Sequence, residues 1–180
     1  MTSYRLDGID LDVEVSIETS NIVKLIKQLR WDFGNDFIIT MAPGAAELSG
    51  GFGGVSNYTA LEEACGNDID WYNAQFYSGF GSMTDTTDYD NIVTRFPLDP
   101  SRLVAGTFSN STDGFGYVEL DTLKSTIRQL LQKYGDVFGG IGCWEYFSSE
   151  PDVNEPWTWA VIMKFAMVNW KEVLAAESYN

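Results

Sequence analysis

The chain has 180 residues, 44% of them hydrophobic and 14% aromatic, enough for one domain with a real core and too apolar for a disordered chain. A formal charge of -15 disfavours nucleic acid and anionic membranes as partners and suits a neutral ligand. The absence of histidine excludes His-based triads, His metal sites and histidine acid/base chemistry. No apolar run approaches the ~20 residues needed to span a bilayer, and no basic, apolar leader opens the chain. The two cysteines, Cys65 and Cys143, make neither a disulfide framework nor a plausible zinc site without His, and are read as free thiols.

The first element is the strand Gly8–Val15, where Ile9, Leu11, Val13 and Val15 alternate with Asp10, Asp12 and Glu14. Period-2 alternation puts the three carboxylates on one face, about 6.6–7 Å apart. Carboxylates this close cannot all ionise freely, so one becomes a candidate general acid. A calcium loop fits poorly, because the sixth position from Asp10 is Val15 where that loop needs Gly.

Ser20 or Asn21 is expected to cap a helix carrying Ile22, Leu25, Ile26 and Leu29 on one face, with Gly34 as its stop. Phe37–Met41 reads as a buried strand, followed by a Gly-rich loop to about Asn57 that has no phosphate-binding spacing and is read as a loop only. A helix over Tyr58–Ala64 precedes an aromatic strand over Asp70–Tyr77, and a second short helix covers Asp88–Phe96. Turn chemistry at Pro97 and Pro100 leads to a strand over Leu103–Thr107. The cleanest helix is Leu120–Tyr134, with Leu123, Ile127, Leu130, Leu131 and Tyr134 on one face and Gly135 at its end. Phe138–Trp144 is the last strand; Pro156 then starts a helix through Trp159, Ile162, Phe165 and Ala166, with an amphipathic tail from Asn169.

Five strands, each followed by a helix, argue for an α/β fold with a parallel sheet and outer helices, in a single domain over residues 1–180. No Gly-x-Gly-x-x-Gly follows the first strand, which disfavours a dinucleotide fold. Glu14, Met41, Gln75, Tyr77 and Trp144 fall at strand C-terminal ends, where (β/α)8 barrels carry their sites.

The order Asp7-x-x-Asp10-x-Asp12-x-Glu14 resembles the signature of glycoside hydrolase family 18, the chitinases and endo-β-N-acetylglucosaminidases. Asp70-Trp71-Tyr72-Asn73-Ala74-Gln75-Phe76-Tyr77 looks like that family's sixth barrel strand, and Trp144 after Gly139-Gly140-Ile141-Gly142 like its eighth-strand tryptophan. The similarity runs from about Leu6 to Phe165 and is nearest the fungal endo-β-N-acetylglucosaminidases, which act on N-linked glycans. It implies a retaining, substrate-assisted hydrolysis without a protein nucleophile. Glu14 would be the acid/base and Asp12 would hold the acetamido N–H, backed by Asp10. Tyr77, helped by Gln75, would bind the acetamido oxygen, and Trp144 would floor the sugar; Asn73 and Met41 would complete the substrate contacts. No cofactor or metal is implied. The ligand would be an N-glycan or a chitooligosaccharide, and the setting extracellular. A chitinase, or a binding protein without turnover, are the rival readings.

In the family the acid motif belongs to the fourth strand, and here it begins at Asp7. The resemblance therefore implies a partial TIM barrel of about five β/α units. Five parallel strands alone would expose two edges and a carboxylate-bearing interior. Completion by a complementing half-barrel chain, or pairing of two copies, is expected over a sheet covered in some other way.

Overall fold

The computed structural model describes residues 6–51, 53–96 and 98–168; Pro97 and the tail from Asn169 lie outside them. Five parallel strands, β1 (Gly8–Leu11), β2 (Ile38–Met41), β3 (Trp71–Gln75), β4 (Leu103–Phe108) and β5 (Ile141–Trp144), pair in chain order. They curl into a half-barrel. Between and after them run α1 (Thr19–Phe33), α2 (Ala45–Leu48), α3 (Tyr58–Cys65), α4 (Thr87–Arg95), α5 (Leu120–Tyr134) and α6 (Trp157–Val168). The partial (β/α)8 barrel expected from the sequence is the observed architecture.

Strand alternation divides the sheet. Ile39, Met41, Tyr72, Ala74, Leu103 and Ala105 are fully buried beneath the helices, together with Ile26, Leu61, Ile92, Leu123 and Ile127 from the helices themselves. Asp10, Asn73, Gln75, Gly106 and Trp144 face the concave side, where they line one trough. Leu120–Tyr134 is helical with the bounds read from the sequence, and its stop, Gly135, has the positive φ of 59° that favours glycine there.

Several boundaries moved. The first strand ends at Leu11 rather than Val15: its last rung is the Ala42 N–H to Leu11 O at 3.1 Å, and the Ala42 carbonyl that would continue the ladder accepts from Gln75 Nε2 instead. From Asp12 the chain turns instead toward the Gly-rich loop: the Ile17 N–H donates to Gly54 O at 2.7 Å and the Ser56 N–H to Ile17 O at 3.1 Å. The first helix starts at Thr19 behind Glu18, so Ser20 and Asn21 lie inside it. The loop after β2 contains α2, a single turn too short for a periodic pattern to reveal. On α6, Trp159, Met163 and Ala166 are buried against the body, whereas Phe165 is exposed on the opposite side with Trp157 and Val161.

The base of the sheet is tied by ions. Arg102 pairs with Glu62, donates to Gly66 O and Ile69 O at 2.8 Å each, and lies over the Tyr72 ring. The Tyr72 hydroxyl donates to Glu62 at 2.7 Å. β1 and β5 are the outer strands, so each has one edge without a strand partner among the described residues. No helix among the described residues is long and apolar enough to cross a membrane.

Candidate active site

The C-terminal ends of the strands open into a cleft of about 680 Å³ lined by Asp12, Glu14, Gln75, Tyr77, Phe108 and Trp144, among others. Asp10 sits one turn of the pleat deeper. It accepts hydrogen bonds from Thr40 Oγ1 and, at 3.1 Å, from Asn73 Nδ2. Thr40 is its register partner on β2, so the parallel pairing itself places the donor. Asn73 thus supports the acid row rather than lining the main cleft.

Asp12 accepts from Gln75 Nε2 at 3.2 Å, and the same amide donates to Ala42 O at 2.8 Å, which fixes the Gln75 side chain. Burial first, then the negative charges of Glu14 and Asp10, hold the Asp12 carboxyl above the ordinary carboxylate range. The crowding expected of three neighbouring acids therefore registers at Asp12. Tyr77 stacks on Phe108, ring centroids 4.2 Å apart. Burial, then the charges of Asp12 and Glu14, push its hydroxyl up to about 12, so at neutral pH it is an O–H donor pointing no charge at the acids. Trp144 is 54% exposed and lines both the cleft and the trough below it, so its ring is open to whatever occupies them.

Met41 is not brought to the site. It pairs with Tyr72 across β2 and β3, and both side chains are fully buried on the helix-covered side. A residue at a strand end faces the cleft or the core according to its parity, and Met41 has the core parity.

Glu47, Phe80 and Asp113 line the cleft and were missed by sequence reasoning. Asp113 is held by the Asn110 N–H at 3.0 Å and Ser148 Oγ at 2.9 Å, joining the loops after β4 and β5. Glu47 accepts from the Gly44 and Gly54 N–H groups at 3.1 Å each. The available signal was an acid enclosed by glycines, Gly44 before it and Gly53-Gly54 after it. Gly54 packs so tightly on the acid segment that a Cβ there would collide with the Val13 carbonyl oxygen. Gly54→Ala is expected to cost about 1–3 kcal/mol in a thermal melt, the usual range for overpacking at a closed contact.

No protein-family model matches the chain. In fold and sequence it is similar to a fungal endo-β-N-acetylglucosaminidase of glycosyl hydrolase family 18, with 46% identity, a TM-score of 0.86, and coverage of 91% of this chain and 58% of that one. It is similar to chitinase ChiC from Aspergillus fumigatus at 41% identity and a TM-score of 0.78, covering 91% of this chain and 59% of that one. Endochitinase 4 of Metarhizium anisopliae is 25% identical over 179 residues, covering 78% of this chain and 61% of that protein. The chain thus spans about three fifths of the length of each. In sequence and fold the chain is thus similar, over that three-fifths span, to glycoside hydrolase family 18.

Proposed function

We propose that this chain carries the catalytic half of a retaining endoglycosidase that cleaves the GlcNAc-β1,4-GlcNAc bond in N-glycan cores. The observation that carries the reading is the convergence of Asp12, Glu14, Tyr77 and Trp144 on one cleft at the strand ends. In the proposed reaction the Glu14 carboxyl gives its proton to the glycosidic oxygen as the bond to the anomeric carbon breaks. The substrate's own 2-acetamido oxygen attacks that carbon and forms an oxazolinium ion. Ionised Asp12 accepts the acetamido N–H and offsets the growing positive charge, with Asp10 behind it. Tyr77 donates to the acetamido oxygen, Gln75 keeps Asp12 in place, and Trp144 packs on the sugar. Water then attacks the anomeric carbon, Glu14 takes its proton, and the acetamido group is restored.

Because Asp12 acts as the ionised form, turnover falls as pH drops through its value, and that value lies above the usual one for Asp. The acid limb of the rate profile is therefore expected at higher pH than an unperturbed Asp would give.

Two further features belong to the reading. The unpartnered edges of β1 and β5, with Trp157, Val161 and Phe165 exposed on α6, favour association with a complementing half-barrel or a second copy. The setting is proposed as extracellular, with the whole of residues 1–180 as one domain. A chitinase reading has its own support, since two of the similar proteins are chitinases.

The test pairs light scattering with cleavage of a chitobiose-core glycopeptide and of a chitooligosaccharide on the same fraction. Cleavage of the glycopeptide in preference supports the proposal, and preference for the oligosaccharide supports the chitinase reading. Binding of both without cleavage would replace hydrolysis by recognition.

A further inference from the structure

Glu47 is a carboxylate only 8% exposed, yet it lines the same cleft as Asp12 and Glu14. A single helical turn, α2, delivers it there, and its two oxygens separately accept the N–H groups of Gly44, just after β2, and Gly54, in the Gly-rich loop. Gly53 lies flat against the carboxyl, where any Cβ would overlap it. Gly54 in turn lies against the Val13 carbonyl, and its own carbonyl accepts the Ile17 N–H. The carboxylate is thus the knot of a saddle made by residues 53–54, and the Asp12–Glu14 segment rests on that saddle.

We propose that Glu47 is a positioning residue: it locks the glycine saddle beneath Val13, and so fixes Asp12 and Glu14. This rests on the glycosidase reading given above. A buried carboxylate with no task would be costly and readily replaced by an apolar residue. Here burial raises its carboxyl, the Gly44, Gly54 and Val55 N–H groups favour its ionised form, and Asp12 opposes it. The other groups facing Asp12 are Asp10 and Glu14 on its own segment, Tyr58 from α3, Tyr77 after β3, and Asp113 across the cleft.

The experiment compares Glu47→Gln and Glu47→Ala with the parent by kcat, KM, the pH–rate profile and a melt, on whichever associated or single species cleaves glycopeptide. Glu47→Gln keeps the shape and one acceptor but loses the charge. It leaves one oxygen for the two glycine N–H groups, and kcat is expected to fall by less than in the alanine variant, with KM within about threefold. Glu47→Ala frees the saddle, and kcat is expected to fall on the order of a hundredfold with KM within about threefold, as a misplaced acid would give. A kcat in folded Glu47→Ala that matches the parent's overturns the inference, whatever the melting temperature. If Glu47→Ala fails to fold, the Glu47→Gln kcat alone decides: a fall with KM held supports the inference, and a parent-like kcat overturns it. A parent that binds glycan without cleaving it sinks the glycosidase reading and this inference with it, and is told apart because no variant is then needed to see it.

Discussion

Glu14→Gln is expected to lower kcat for glycopeptide cleavage by about 10²–10⁴-fold, the range for removing a general acid/base, with affinity for the uncleaved glycan changed by less than about threefold. The reasoning is local. Gln fills the same volume at the mouth of the cleft, but it can neither protonate the glycosidic oxygen nor accept a proton from water. Asp12 keeps its hydrogen bond from Gln75, and Tyr77 keeps its stack on Phe108. Since the Glu14 charge also helps raise Asp12, the variant should bind with its acid limb at lower pH. Calorimetry with the uncleaved glycan and a quenched-flow or discontinuous cleavage assay would together check it. Equal turnover in Glu14→Gln would remove Glu14 from the chemistry and leave the cleft as a binding site.

Arg102→Ala is expected to destabilise the fold by about 2–4 kcal/mol without altering kcat per folded molecule. Arg102 and Glu62 form a mostly buried pair, and the guanidinium also serves the Gly66 and Ile69 carbonyls. Deleting it leaves the Glu62 carboxylate with the Tyr72 hydroxyl as its remaining side-chain donor, and leaves two carbonyls short of a partner. Breaking one side of such a pair costs more than the pair contributes, because the surviving charge stays desolvated. The site lies at the start of β4, at the opposite end of the sheet from the cleft, where a barrel carries stability and not chemistry. In a chain of this size the melting temperature should fall by roughly 5–15 °C. A Glu62→Gln/Arg102→Met double variant should lose less than the two single losses combined, since neither charge is then stranded. A loss of turnover at temperatures well below the melt would contradict this division of labour.

The periodic signals in the chain were strong enough to read the architecture. Leu120–Tyr134 repeats its apolar residues at the helical period and ends in a glycine that takes positive φ, so both its existence and its stop are written locally. The five apolar runs are strands because each is short, β-branched or aromatic, and separated by a helical period, and that alternation leaves a parallel sheet as the economical arrangement. The acid row, the aromatic strand around Asn73 and Gln75, and Trp144 were likewise legible, because their identities and spacing are properties of the chain alone.

What the sequence could not decide is which way each strand-end residue faces and where distant segments meet. Met41 and Gln75 both stand at strand ends, yet parity sends Met41 into the core and Gln75 to Asp12. The acid row looked like one long strand; its ladder ends at Leu11, where Gln75 takes the Ala42 carbonyl instead, and Asp12 and Glu14 line the cleft. Glu47 falls in the Gly-rich stretch that reads from the sequence as a loop only. Its meaning comes from Gly44, Gly54 and Val13 closing around it, contacts that span the loop and the acid segment and exist only once the chain is folded. Local periodicity is a property of neighbours in the chain, and it was readable; the facing of a side chain and the closure of a loop depend on partners tens of residues away, and only the tertiary structure supplies them.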